Sequence, residues 1–235
     1  MTGGDRHDRD AAAREQAILA AWRDNALPWV RAVRGDAIAS RRLVTDAAIV
    51  QVVIGQRPRS VIDLGCGEGW LVRALAAKGI AALGVDAVPA LVDSAAAAGG
   101  RFVTADYAAI AAGALGERAD AVICNFSLLG EASVDRLLQA MPALLEPSGV
   151  VIIQTLHPCS ACGEQAYVDG WRDGSWAGCG DGFAAPAPWY FRTLAGWLAC
   201  FAAAGLRLLA LREPLHPHSG QPASVIFVLG RALPA

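Results

Sequence analysis

Val61-Ile62-Asp63-Leu64-Gly65-Cys66-Gly67-Glu68-Gly69-Trp70 decides the fold of this chain. Ser60 to Leu64 is a short apolar run that reads as a buried strand, and Gly65 to Gly69 reads as a turn. Trp70 to Lys78 reads as a helix stopped by Gly79, and Ala82-Leu83-Gly84-Val85-Asp86 as a second strand. The alternation continues through helix 88–97, strand 101–105, strand 119–125, helix 133–145 and strand 149–156. Strands separated by helices predict a parallel, doubly wound sheet. After His157 that rhythm lapses for a stretch rich in Gly, Trp, Pro and Asp. It resumes with helix Thr193–Ala204, strand 206–212, a Pro-rich turn and strand 224–230. The last two strands, joined without a helix, predict an antiparallel pair. Upstream, residues 1–10 read as a disordered tail. From Ala11 the pattern suggests short amphipathic helices broken at Pro28 and Gly35, then a helix from about Thr45 to Ile54 with Thr45 as its cap.

Composition narrows the function. The 235 residues carry a net charge of −2, which gives no basic field of the kind that holds a nucleic-acid backbone. The mean hydropathy of +0.37 invites a membrane reading. Uncharged runs such as Leu194 to Leu206 fall short of the ~18–20 residues a span needs. Lys78 is the sole lysine and sits late in a surface helix, so a buried Schiff-base lysine has no place. The polar start, MTGGDRHDRD, lacks the apolar centre of a secretory signal. Cytoplasmic localisation with six free thiols is the expectation.

The chemistry begins at the turn. Glycines at a strand's carboxyl end let backbone N–H groups approach a nucleotide-like ligand. Dinucleotide sites use G-x-G-x-x-G at a helix N-terminus that welcomes pyrophosphate, whereas this turn is G-x-G-x-G. Asp63 and Glu68 would repel pyrophosphate but suit an ammonium and a sulfonium, as in S-adenosylmethionine.

Over about residues 45 to 230 the chain resembles a class I S-adenosylmethionine-dependent methyltransferase, with VIDLGCGEG matching that family's first motif. The resemblance implies that Asp63 bonds to water or the cofactor's amino group, and that Gly65, Cys66, Gly67 and Gly69, with Trp70 beyond, wrap its methionine and ribose. Asp86, followed by Ala87, would take both ribose hydroxyls. Asp106 would accept from the adenine amine and Tyr107 would flank the ring. Asn125, Phe126 and Ser127 end the fourth strand under the reacting centre. Asn125 resembles the first residue of an Asn-Pro-Pro-Tyr signature, but the residues after it depart from that pattern. In Ser40-Arg41-Arg42 an arginine would pair with the cofactor's carboxylate, and Arg42 is the candidate.

The implied fold is α/β, with a doubly wound, seven-stranded, mostly parallel sheet in the order 3-2-1-4-5-7-6, the last strand antiparallel. Cap helices occupy 11–56, and the Rossmann-like domain 57–235 carries a lid at 157–192. Nine of the sixteen aromatic residues lie between Tyr167 and Phe201, without helical or strand period. Such a lid would exclude water and present rings to a sulfonium. Trp22, Asn25, Trp29, Arg41 and Arg42 would shape the acceptor pocket from the N-terminal side.

His157, after the fifth strand, and Tyr190, in the lid, are the catalytic candidates for deprotonating an acceptor. The alternative for His157 is a neutral ring bonding a loop carbonyl. Arg192 would bind a substrate carboxylate or tie the lid down. Cys159-x-x-Cys162, near His157 and Cys179, with His216 and His218 later, offers zinc-type ligands, but no second C-x-x-C pair accompanies it, so no metal site is assigned. The function expected is methyl transfer to an oxygen or nitrogen of a small-molecule acceptor by a monomer or homodimer, with no nucleic-acid or membrane partner. Transfer or cyclisation of the aminocarboxypropyl group, or non-catalytic binding that regulates a partner, remain the alternatives.

Overall fold

A computed structural model describes residues 3–232, with side chains from Asp10 on. The expected disordered tail falls partly on Met1 and Thr2, outside the described residues. Five strands follow one another through helices: β1 (Ser60–Leu64), β2 (Ala81–Asp86), β3 (Arg101–Thr104), β4 (Ala119–Asn125) and β5 (Leu145–Thr155). A small pair, β6 (Gly170–Arg172) and β7 (Trp189–Phe191), lies in the lid, and β8 (Leu206–Arg212) and β9 (Val225–Arg231) complete the main sheet. The main-sheet order is β3-β2-β1-β4-β5-β9-β8, with β9 antiparallel to both neighbours. That is the anticipated topology once the two lid strands enter the numbering.

Helices cover both faces because the strands bury alternate residues on each. Ile62 and Leu64 of β1 join a cluster with Val134, Leu137, Trp197 and Phe201, contributed by α7 (Ala132–Ala140) and α9 (Leu194–Ala203). Val61 joins Ile49 and Val53 of α3 (Asp46–Gly55) and Leu71 and Leu75 of α4 (Trp70–Ala76) on the opposite face. With all five β1 residues buried or half-buried, its two neighbours must be parallel strands with covered faces.

The N-terminal helices differ from the sequence reading in three ways. Helix α1 runs Gly3–Asp24, starting ahead of Ala11. Pro28 does not break the chain, because α2 (Ala26–Arg34) carries it in its first turn, where the missing N–H is no loss. The break is at Asn25. Thr45 does not cap α3: it ends a π-helical turn, Arg41–Thr45, and makes no capping bond. α2 rests through Ala26 and Val30 on Val88 and on Leu91 of α5 (Pro89–Ala97), which holds Trp22 and Trp29 over the sheet's carboxyl edge.

Other boundaries shift locally. α7 gives way to a 3-10 turn, Met141–Leu144, that accommodates Pro142, and β5 starts at Leu145 through a register shift opposite Ala119 and Ala121. A short α6 (Tyr107–Ala111) follows β3. The lid is not free of regular structure. It contains α8 (Pro158–Cys162) and the β6–β7 pair, in which Trp171 opposes Tyr190 with ring centroids 5.6 Å apart. No helix among the described residues is long and apolar enough to cross a membrane.

Candidate active site

The carboxyl ends of β1, β2, β3 and β4 open into one cavity of about 930 Å3. It is walled above by α1, the π-helical turn and the lid. Of the predicted cofactor residues, the cavity brings together Asp63, Gly65, Cys66, Gly67, Trp70, Asp86, Ala87, Asp106, Tyr107, Asn125, Phe126 and Ser127. The glycine turn has the shape its sequence demands. Gly67 has φ +57°, its N–H donates to Asp86 Oδ2 at 2.8 Å, and a Cβ there would meet Trp29 Nε1 at 3.2 Å.

Gly69 is not on the wall. It begins α4 in the left-handed region, where a Cβ would strike Phe102 at 2.5 Å, so its role is packing. Glu68 also turns away. Fully buried, it takes Arg34 Nε at 2.9 Å and Arg73 Nη2 at 2.7 Å, fastening α2 to α4 rather than facing a ligand. Around the turn itself, the acids left toward the cavity are Asp63 and Asp86; Glu15, Asp106 and Asp173 line it elsewhere.

Burial raises the Asp63 carboxyl to about 7, with the Asp86 charge adding to the effect. Asp86 is also raised by burial, opposed by N–H donations from Val88 and Gly67. Asp106 caps α6 by accepting from Ala109 N–H at 2.8 Å. The Tyr107 hydroxyl donates to Ser127 O at 3.0 Å, and Ser127 Oγ donates to Leu64 O at 2.7 Å, which stitches the β3 and β4 loops to β1. Phe126 has φ +55°, a conformation costly for a non-glycine residue and held here by its N–H bond to Gln154 O.

The arginine assignment changes. Arg42 is exposed and off the wall, whereas Arg41 lines the cavity, its guanidinium 4.8 Å from the Trp70 ring centroid and its Nε bonded to Asp46 at 3.1 Å. The π-helical turn makes that choice. Five of the nine buried side-chain polar atoms without a partner, among the described residues, belong to cavity-lining residues: Arg41 Nη1, Thr45 Oγ1, Trp176 Nε1, Asp63 Oδ1 and Asn125 Oδ1. Thr45, expected from the sequence only as a helix cap, lines the cavity instead. The absence of a Glu or Gln three positions after it, as a capping box requires, was the available signal.

His157 is also withdrawn from the site. Its ring is buried off the cavity wall, with Nε2 2.8 Å from Glu213 Oε1 and Nδ1 accepting from Cys159 N–H at 3.2 Å. Both nitrogens are committed, and the ring caps α8. Tyr190 does line the cavity, but burial and the nearby Glu131 carboxylate push its phenol up to about 12. It is a proton donor at neutral pH.

Arg192 ties the lid down: it donates to Gly130 O, Glu131 O and Asp135, and its guanidinium lies 4.8 Å from the Tyr190 ring. Asn25, fully buried, receives Ala184 N–H at 2.6 Å and donates to Ala21 O and Ala185 O. Trp176 stacks on Phe183 at 4.6 Å and meets Trp22 edge to face at 5.3 Å. Glu15 of α1, for which the sequence offered no signal, accepts from Glu131 N–H, Ser133 N–H and Ser133 Oγ. The cysteines are free; Cys159 is exposed, Cys162 is buried, and no group of three or more metal-ligating side chains gathers among the described residues.

A family model described as a methyltransferase domain matches residues 38–211, most of the chain, and the chain belongs to that family. No curated protein matches it in sequence. Among solved structures it is similar to an S-adenosylmethionine-dependent methyltransferase from Clostridium acetobutylicum, at 13% identity, TM-score 0.59, and coverage of 79% of this chain and 89% of that one. It is also similar to the CcbJ methyltransferase from Streptomyces caelestis, at 21% identity, TM-score 0.55, and coverage of 74% and 84%. The glycopeptide N-methyltransferase MtfA, solved with S-adenosylmethionine, is 14% identical with TM-score 0.58, covering 74% of this chain and 87% of that one. At these identities the likeness is one of fold.

Proposed function

We propose that this family member moves the methyl group of S-adenosylmethionine to a nitrogen or oxygen of a small-molecule acceptor. The observation that carries the reading is the sorting of unpartnered buried atoms around the glycine turn. Arg41 Nη1 offers an N–H and Thr45 Oγ1 a hydroxyl, while Asp63 Oδ1 and Asn125 Oδ1 offer acceptors. A ligand that carries both a carboxylate and an ammonium satisfies such a set, and leaving the atoms unmatched would cost about 1–3 kcal/mol each.

When bound, the sulfonium supplies a methyl group activated for attack. Arg41 and Thr45 hold the carboxylate, and Asp63 takes the ammonium, which favours its ionised form. Each Asp86 oxygen retains a lone pair beyond its N–H bond and accepts from a ribose hydroxyl. Trp29, beside Gly67, and Trp176 line the same wall and would exclude water from a ligand held there. The cavity volume lies near the top of the ~300–1,000 Å3 range of small-ligand sites, which suits a cofactor and a second small molecule.

Catalysis then rests on orientation and desolvation. Calorimetric titration with S-adenosylmethionine, followed by analysis of the nucleoside product, tests the reading. S-adenosylhomocysteine is the expected product; methylthioadenosine would mean attack at the aminocarboxypropyl carbon, and no binding heat would overturn the reading.

A further inference from the structure

Among the described residues, no buried group on the cavity wall is a base left free for an acceptor. His157 is held outside the wall by Glu213 and Cys159. Both oxygens of Glu15 are occupied by the start of α7. Asp86 receives two backbone N–H groups, Asp106 caps α6, and Asp63 lies beneath the glycine turn, committed to the ammonium on the reading above. Burial holds the Cys66 thiol and the Tyr107 phenol protonated, raises Cys179 as well, and keeps Tyr190 a donor. Asp173 also lines the cavity but is exposed, so water rather than burial sets its surroundings.

Apart from the exposed Arg136, the same wall is poor in charge available to an anion. Arg192 is bound to Gly130, Glu131 and Asp135, and Arg172 to Gln165 and Ala166 O. What the wall does offer is aromatic: Trp189 and Tyr190 from β7 and Phe126 just after β4 line it, as does the largely buried Trp197 of α9.

We propose that the acceptor is an aromatic amine, bound flat against these rings and methylated on a nitrogen whose lone pair is already free. The inference rests on the methyltransferase reading. An alkylamine would arrive as ammonium and a phenol would arrive protonated, as lysine and tyrosine side chains do at neutral pH. Either would need a base, whereas an arylamine would not. The nitrogen lone pair forms the new bond to the methyl carbon, the carbon–sulfur bond breaks with its electrons passing to sulfur, and the product ammonium then releases its proton to water. Aromatic faces favour the positive charge that builds on nitrogen.

The test uses the full chain with saturating S-adenosylmethionine and three probes: 2-naphthylamine, 2-naphthol and benzylamine. S-adenosylhomocysteine formation is followed at about pH 6.5 and about pH 8.5, and probe binding is titrated with S-adenosylhomocysteine present. The naphthylamine rate is expected to change less than about twofold, while any rate with the other two climbs about tenfold per pH unit. His157→Gln is expected to leave these profiles in place. Naphthol or benzylamine turnover that is as fast at the lower pH, or a naphthylamine that neither binds nor reacts, overturns the proposal. Failure of S-adenosylmethionine itself to bind, titrated separately, would instead strike the underlying reading and the proposal with it.

Discussion

The glycine-turn edge and the aromatic lid enclose the same cavity but are built by different means. At the edge, short loops leave parallel strands and place Asp63, Asp86 and Asp106 by backbone geometry alone, with Gly67 N–H and Asp86 2.8 Å apart across two strand ends. In the lid, position depends on side chains from distant parts of the chain: Asn25 on Ala184, Arg192 on Gly130, and Trp171 Nε1 on Glu131 at 3.0 Å. The edge also keeps a buried acid unsatisfied, whereas the lid's polar groups are mostly paired. The difference separates a wall that keeps unpartnered polar atoms from one whose polar groups are mostly spent on holding the chain in place.

Substitutions should divide along that line. Asp86→Ala is expected to have the largest effect, lowering S-adenosylmethionine affinity about 100-fold or more in calorimetry, because two hydroxyl bonds to a carboxylate are lost at about 1.5–3 kcal/mol each. An unchanged affinity would break the contrast at its strongest point.

Asp63→Asn is expected to weaken binding by about ten- to a hundredfold yet stabilise the ligand-free protein at neutral pH by about 1–3 kcal/mol. The sign follows from a folded carboxyl raised to about 7. Between roughly pH 4 and pH 7 the native state holds the proton more tightly than the unfolded chain, so wild-type stability falls as pH rises across that window. The asparagine variant lacks that fall. Urea melts at the two ends of the window check it. For the same reason, S-adenosylmethionine affinity should decline as the pH drops below about 7.

On the lid side, Asn25→Ala is expected to cost about 1–3 kcal/mol of stability through its unpaired backbone partners, with faster proteolysis at residues 172–187 as the readout. The smallest effect is expected from His157→Gln, with kcat within about threefold of wild type, since a group acting as general base would supply about 100-fold or more. A loss of that larger size would return the histidine to the chemistry.

The two regions were unequally legible in the sequence for the same physical reason. Strand ends and glycine turns are local patterns, so the order of the sheet and the positions of Asp63, Asp86 and Asp106 could be read from spacing and resemblance. The direction of a side chain whose partner is remote could not. Glu68 turns to Arg34 and Arg73, and His157 to Glu213, 56 residues away, although its backbone does follow β5 as expected. The exchange of Arg42 for Arg41 arose from a π-helical turn, a departure that hydrophobic periodicity does not register. The lid's aromatic cluster was visible as composition, but its β6–β7 pairing was not, because three-residue strands carry too little alternation.

On the proposed function, Arg41, Thr45 and Asp63 form a cradle for a carboxylate and an ammonium beside a nucleoside site. Paired calorimetric titrations with S-adenosylhomocysteine and methylthioadenosine test it most directly, because both carry the thioadenosine and only the first carries the amino-acid group. S-adenosylhomocysteine is expected to bind at least about 100-fold more tightly, a difference of about 2.8 kcal/mol. Equal affinities would contradict the cradle.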